Sequence, residues 1–212
     1  SVPASIAAID AMLNQVEGLY CSDLNVRFRI NNQNVQTLVA DPYTSTTLLD
    51  RLIEFRGLWN TTAPYNTYSR DLAHMFTGTN LPGSAVGYAY VGVVCSFGAG
   101  YGITQRYNAG TFGQVVILAH EIGHNFSSLH GTSINCGSLG SVMCPYVQPN
   151  SFYFSPASIG VINSHIGSRS CLGPPDLTIS PVTATLCSSP TVNFVATFDP
   201  QYSYQWYRDS VA

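Results

Sequence analysis

The sequence contains no lysine; all 8 of its basic side chains are arginines. Charged residues make up only 9% of the chain, against about 25% in an ordinary soluble protein. Asn, Ser, Thr, Tyr and Gly must therefore supply the wetted surface. Two readings fit that shortage of charge: a compositional bias of the source lineage, or a secreted protein with an uncharged polar surface. Net charge is −3, with neither a basic run nor an acidic tail. This excludes nucleic acid and an anionic membrane surface as expected partners. No apolar run reaches the ~18 residues that a membrane span needs. No CxxC pair occurs, which argues against a thiolate zinc site or a thioredoxin-like motif. Ser1 opens directly into a helix-like pattern with no signal-peptide features, so a precursor's leader is expected to be gone already, or the chain to be a fragment.

What is present suits one domain of ordinary size plus a small piece of another. The chain has 212 residues and 45% hydrophobic content, enough for a real core. Its six cysteines are Cys21, Cys95, Cys136, Cys144, Cys171 and Cys187. Without metal-type spacing they read as disulfide partners in an oxidising compartment, and spacing alone does not choose among the connectivities.

Hydrophobic periodicity predicts an amphipathic helix from Pro3 to Leu19, with Ile6, Ile9, Leu13 and Val16 on one face. Alternation over Asn25 to Ile30 predicts a half-buried strand, and Val35 to Ala40 a second. Thr46 to Trp59 reads as a helix after the Asp41-Pro42 break. Strands are expected at Leu72–Phe76, Gly87–Val94 and Gly102–Tyr107, and Thr111 is expected to cap a following helix. A last helix runs from Ser155-Pro156-Ala157 to about Ile166. Alternating strands and helices predict an α/β (α+β) domain with a mixed, twisted sheet over residues 1–172.

Composition changes at Gly173-Pro174-Pro175. Residues 173–212 read as strands only: Leu177–Ile179, Val192–Thr197 and Tyr202–Tyr207. Cys187 followed by Trp206 resembles the first half of an immunoglobulin-like sandwich, too short for a domain of ~100 residues. The expectation is a partial all-β domain whose Cys187 finds its partner beyond residue 212.

The chemistry concentrates in His120-Glu121-Ile122-Gly123-His124-Asn125-Phe126-Ser127-Ser128-Leu129-His130. On a helix, positions four apart differ by about 40° in azimuth and about 6 Å along the axis. His120 and His124 therefore project together and can share one tetrahedral zinc ion. Glu121, one step round, is placed as a general base for water beside the metal. A sharp turn after Phe126 would bring in His130 as third ligand. Three protein ligands with an open position is the pattern of catalytic zinc.

This run resembles the elongated metzincin motif HExxHxxGxxH, and HEIGHNF is most similar to the adamalysin (reprolysin) branch, bacterial secreted members included. Asp71–Gly78 resembles the strand preceding that branch's edge strand. Gly87–Gly92 resembles the edge strand itself, which holds substrate by adding a peptide as a further strand. Ser141-Val142-Met143-Cys144-Pro145 resembles its Met-turn. The resemblance spans roughly residues 4–172 and implies a zincin fold, one catalytic Zn2+ on His120, His124 and His130, Glu121 as the catalytic residue, and a secreted endopeptidase acting on protein or peptide substrates. It also implies a Cys95–Cys171 disulfide, and a strand before the first helix that this chain lacks. Cys136 and Cys144 are close enough to bracket a loop beside the Met-turn, which leaves Cys21 single.

Three positions depart from the family pattern. Ser127 stands where the motif has glycine, at a turn whose left-handed backbone costs a side-chain-bearing residue on the order of 1–2 kcal/mol. Gly131 replaces the aspartate that often follows the third histidine. Pro145 occupies the place of the astacin-type switching tyrosine, so Tyr146 carries no catalytic role. His74, in an apolar strand, reads as a hydrogen-bonded core histidine, and His165 as a surface one. A non-catalytic zinc-binding or adhesion module of the same fold is the competing function. A zinc amidase is a third, disfavoured by the edge strand.

Overall fold

A computed structural model describes residues 1–37, 41–106, 110–131, 136, 140–147, 152–172, 179–180 and 195–196. The chain divides into two units, Ser1–Leu172 and Gly173–Ala212.

In the first unit, α1 (Val2–Leu24) carries proline in its first turn and ends on Asn25, whose φ of 53° is left-handed. Such a residue satisfies helix-end carbonyls: the Asn25 N–H donates to Cys21 O and the Val26 N–H to Tyr20 O. The helix outruns its expected end at Leu19. Its burial lies in its second half, where Val16, Leu19, Tyr20 and Leu24 enter the core. Next, α2 (Leu48–Thr61) is capped by Thr47, whose side chain accepts from the Asp50 N–H. A single 3-10 turn, Tyr65–Thr67, leads to the sheet.

The sheet comprises β1 (Ala73–Thr77), β2 (Gly87–Ala89) and β3 (Tyr101–Gln105), in the order β1-β3-β2. β1 and β3 run parallel, with Ala73 opposite Tyr101; β2 and β3 run antiparallel, with Tyr88 opposite Ile103. The sheet is therefore mixed, as expected. All five residues of β3 are buried, as befits a strand covered on both faces. Leu48, Leu52 and Phe55 of α2 form one core cluster with Ala73, Tyr101 and Ile103. A second cluster joins α1 to α3 (Gly110–Asn125) and α4 (Pro156–Gly167), with Leu72 and Phe76 packed against it.

Several expectations are corrected. Asn25–Ile30 forms no strand. Val26 and Phe28 pack on the α1–α3 cluster while Arg27 and Arg29 face out, so the alternation is genuine. No ladder forms on it, however, and alternation without a paired neighbour is only extended chain. Residues 35–37 are likewise not a strand, and 38–40 lie outside the described residues. The apolar run from Gly87 pairs only as far as Ala89. Beyond it, Gly92 and Cys95 adopt positive φ and break the extended path. Thr111 does not cap its helix but lies within the first turn, because α3 begins at Gly110. At α4 the expected Ser155 cap is present, accepting from the Ser158 N–H.

The second unit shows β4 (Ile179–Ser180) and β5 (Val195–Ala196) as an antiparallel pair. The remaining strand positions expected there, and Cys187 and Trp206, lie outside the described residues.

Candidate metal centre

α3 delivers His120 and His124 from successive turns, with ring centroids 4.6 Å apart. The helix then closes through Ser127, whose N–H donates to His124 O (2.8 Å), and Ser128, whose N–H donates to Gly123 O (3.0 Å). These two bonds form a Schellman motif, in which the residue past the cap is left-handed and is usually glycine. Ser127 occupies that position with φ 77°. The turn expected at the motif's missing glycine thus forms around serine. It reverses the chain so that the His130 ring lies 5.0 Å from His120 and 4.9 Å from His124.

One ring nitrogen from each histidine falls in a single group whose members all lie within 4.8 Å of one another. His120 Nε2 and His130 Nε2 are 3.1 Å apart. Ligands at ~2.0–2.1 Å from a tetrahedral zinc ion lie about 3.3 Å from each other, so the donor set fits that ion. The other ring nitrogens of His120 and His124 are already committed. His120 Nδ1–H donates to Val142 O and His124 Nδ1–H to Ser128 O, each at 2.7 Å. Because carbonyls only accept, both protons sit on Nδ1, and both Nε2 lone pairs face the centre. Burial, reinforced by the neighbouring imidazoles, holds His120 down to about 3 and His124 below its ordinary value. Both rings are thus neutral, the form that binds metal.

Glu121 is 5% exposed, and its Oε2 has no hydrogen-bond partner. Burial pushes its carboxyl up to about 8. The carboxyl faces β2 at Gly87, where any Cβ would collide with it. Position 87 therefore requires glycine for steric reasons. β2 pairs with β3 on one side, and its other side flanks a cleft shared with His120, Glu121, His124 and His130. Val116, Ile117, Val142 and Pro145 line the same cleft.

The turn at 141–146 supports the centre twice. The Val142 carbonyl orients His120, and the Met143 carbonyl accepts from Gly131 N–H at 2.7 Å, beside His130. Met143 is fully buried under α3 against Gly123, which has no room for a Cβ. Tyr146 lines the cleft, but its hydroxyl donates to Cys136 O.

His74 lies apart on β1, half-buried and opposite Gly102 of β3, with Nε2 2.8 Å from Thr104 Oγ1. His165 is not at the surface: it is 9% exposed and accepts from Arg169 Nε, since its face of α4 turns towards Gly92. Cys95–Cys171 and Cys136–Cys144 both form disulfides, and Cys21 is free.

Sequence reading missed two positioning residues. Asn125 (1% exposed) donates both amide protons, to Tyr90 O and Tyr101 O, fastening the metal-bearing helix to the sheet. Gln105 accepts from Leu81 N–H and donates to Ala85 O, fixing the segment before β2. A polar amide at the end of an apolar helix face is the only trace Asn125 leaves in the sequence.

Comparison with known proteins agrees with this geometry. The family model described as Metallo-peptidase family M12B Reprolysin-like matches residues 6–131. The chain is 29% identical over 161 residues to a zinc metalloproteinase/disintegrin of Bitis gabonica, covering 72% of this chain and 48% of that protein. It is 35% identical over 104 residues to snake venom metalloproteinase atroxlysin-1 of Bothrops atrox, covering 48% and 52%. To snake venom metalloproteinase trimerelysin-2 of Protobothrops flavoviridis it is 27% identical over 140 residues, covering 66% and 69%. The chain spans about half the length of the first two of these relatives.

Proposed function

The chain belongs to the reprolysin-like M12B metallopeptidases, which use a catalytic zinc, and from that premise we propose that it is a secreted zinc endopeptidase with His120, His124 and His130 as metal ligands and Glu121 as general base. The observation that carries this reading is the convergence of three imidazole nitrogens beside a buried, unpartnered carboxylate oxygen. A zinc ion in that position polarises a carbonyl and lowers the pKa of water towards ~7.

The chain's own residues do the rest. Glu121 takes a proton from the attacking water and returns it to the departing amine. Its raised affinity for protons, a consequence of burial, suits both transfers. The cleft edge of β2 offers backbone N–H and C=O groups to an extended peptide, which fits a peptide substrate better than a compact amide. The apolar cleft walls shield the reacting atoms from bulk water.

Two disulfides among the described residues support an extracellular setting. None of the described helices is long and apolar enough to cross a membrane. HEIGHNF together with Gly131 supports a place near the bacterial secreted members. The β4–β5 pair, in a span that contains Cys187 and Trp206, supports reading residues 173–212 as part of an immunoglobulin-like domain.

The test is cleavage of a denatured protein by the purified chain, with and without chelator. Chelator should abolish cleavage and zinc restore it. Glu121→Ala should lose about 10²–10⁴-fold in kcat/KM while retaining zinc. Full activity in that variant overturns the assignment, and a wild type that holds zinc without cleaving anything favours the non-catalytic module.

A further inference from the structure

We propose that His165 and Arg169, on and just past α4, are positioning residues for the metal ligand His124, acting through the two peptides that meet at Gly92; this rests on the zinc-peptidase reading above. Arg169 Nη2 donates to Gly92 O at 3.3 Å, and its Nε donates to His165 Nε2 at 3.2 Å. Gly92 in turn donates its N–H to His124 O at 2.9 Å. Ser127 N–H donates to that same carbonyl, and His124 Nδ1–H reaches forward to Ser128 O. Gly92, three residues past the end of β2, thus joins the carbonyl that Arg169 holds to the N–H that meets the backbone orienting His124, through the two peptides on either side of its Cα.

Gly92 is held from both sides. A Cβ at position 92 would meet Ser127 Oγ at 3.2 Å and His165 Cε1 at 3.7 Å. The left-handed Ser127 therefore places its hydroxyl tight against the position a Cβ would take, His165 lies at ordinary contact distance from it, and the positive φ of Gly92 strains any side chain there. His165 is buried and accepts a hydrogen bond from a guanidinium, so it acts as a neutral spacer that aims Arg169.

Arg169 meets no carboxylate among the described residues, so its polar groups serve His165 and Gly92. Nor is it needed merely to attach α4, because Cys95–Cys171 already joins these two segments covalently. What the arginine adds is a hold on the Gly92–Val93 peptide, whose Val93 N–H donates to Asn125 O, the residue next to His124. Groups that orient a metal ligand from behind typically alter metal affinity by 10–100-fold, and a contact one peptide further removed should change it by about 3–10-fold.

The decisive experiment measures zinc affinity of the purified full chain by competition with a chromophoric chelator, in wild type, Arg169→Met and Glu54→Ala. Glu54→Ala removes the carboxylate that accepts from Thr44 and Ser45 N–H, at the base of α2, and serves as a control for destabilisation alone. Arg169→Met should bind zinc about 3–10-fold more weakly, and Glu54→Ala should match wild type. Should Arg169→Met not fold, Arg169→Lys takes its place, because an ammonium keeps the charge without the guanidinium fork; the same direction is expected. A folded Arg169 variant with wild-type zinc affinity overturns the proposal, even if its melting temperature falls. A wild type that binds no zinc overturns the reading of the site itself, and this proposal with it.

Discussion

Half-buried histidine whose ring is held neutral occurs in two regions of this protein, on β1 beside β3 and at the end of α3, with different outcomes. His74 gives Nε2 to Thr104, meets Phe76 in a tilted ring contact at 5.1 Å, and is walled off by Gly102, where a Cβ would meet its Nδ1 at 2.8 Å. Burial holds it down to about 3. His120 is depressed to a similar level, yet its free nitrogen meets two others at the floor of an open cleft. A depressed pKa therefore does not separate a structural histidine from a ligand. Convergence of lone pairs on one accessible point does.

The contrast breaks most sharply by substitution at each place. His124→Ala should lose zinc together with peptidase activity, a drop at least as large as the ~10²–10⁴-fold assigned to the general base. His74→Leu should keep both. Activity assays and metal analysis of the two variants would undo the comparison if their behaviour were exchanged.

A second effect separates the regions by pH. Because burial lowers the pKa of His74 in the folded state, the unfolded chain takes up the proton first as pH falls. The associated stability is complete above ~6.5 and is lost progressively as pH drops towards the folded value. Denaturant unfolding at about pH 7.5 and pH 5 should show the wild type losing stability that His74→Leu does not lose. At neutral pH that variant should be less stable by about 1–3 kcal/mol, because Thr104 Oγ1 is left without its partner. An unchanged pH slope would show that His74 titrates normally.

The smallest effect sits at the turn between the ligands. Ser127→Gly relieves a left-handed serine but frees the unfolded chain, so the net gain should be only about 0.5–1 kcal/mol. Zinc affinity should stay close to wild type, since the Schellman bonds are backbone to backbone. A loss of stability on this substitution would mean that the Ser127 side chain contributes more through its contact with Gly92 than the strain costs.

Local signals made much of the fold legible. Apolar spacing located α1 and α2, and Ser155-Pro156-Ala157 marked the start of α4, because caps and amphipathic faces depend on neighbours in sequence. The site was legible for the same reason: two of the three converging histidines lie on one helix, and the third follows after a single turn. The failures came where partners lie far along the chain. Val26 and Phe28 alternate as in a strand, but no ladder forms on them. Gly87–Val94 reads as one apolar run, yet Gly92 and Val93 N–H turn away to His124 O and Asn125 O. His165 looked like a surface residue because nothing near it in sequence reveals that Gly92 covers it.

One metal ion should be held by three imidazoles drawn from both sides of the Ser127 turn. Zinc content of the purified full chain after exhaustive dialysis tests this most directly, with His130→Ala measured in parallel. The prediction is equimolar zinc in the wild type and its loss in the variant. A wild type without zinc, or His130→Ala retaining the full equimolar load, would contradict it.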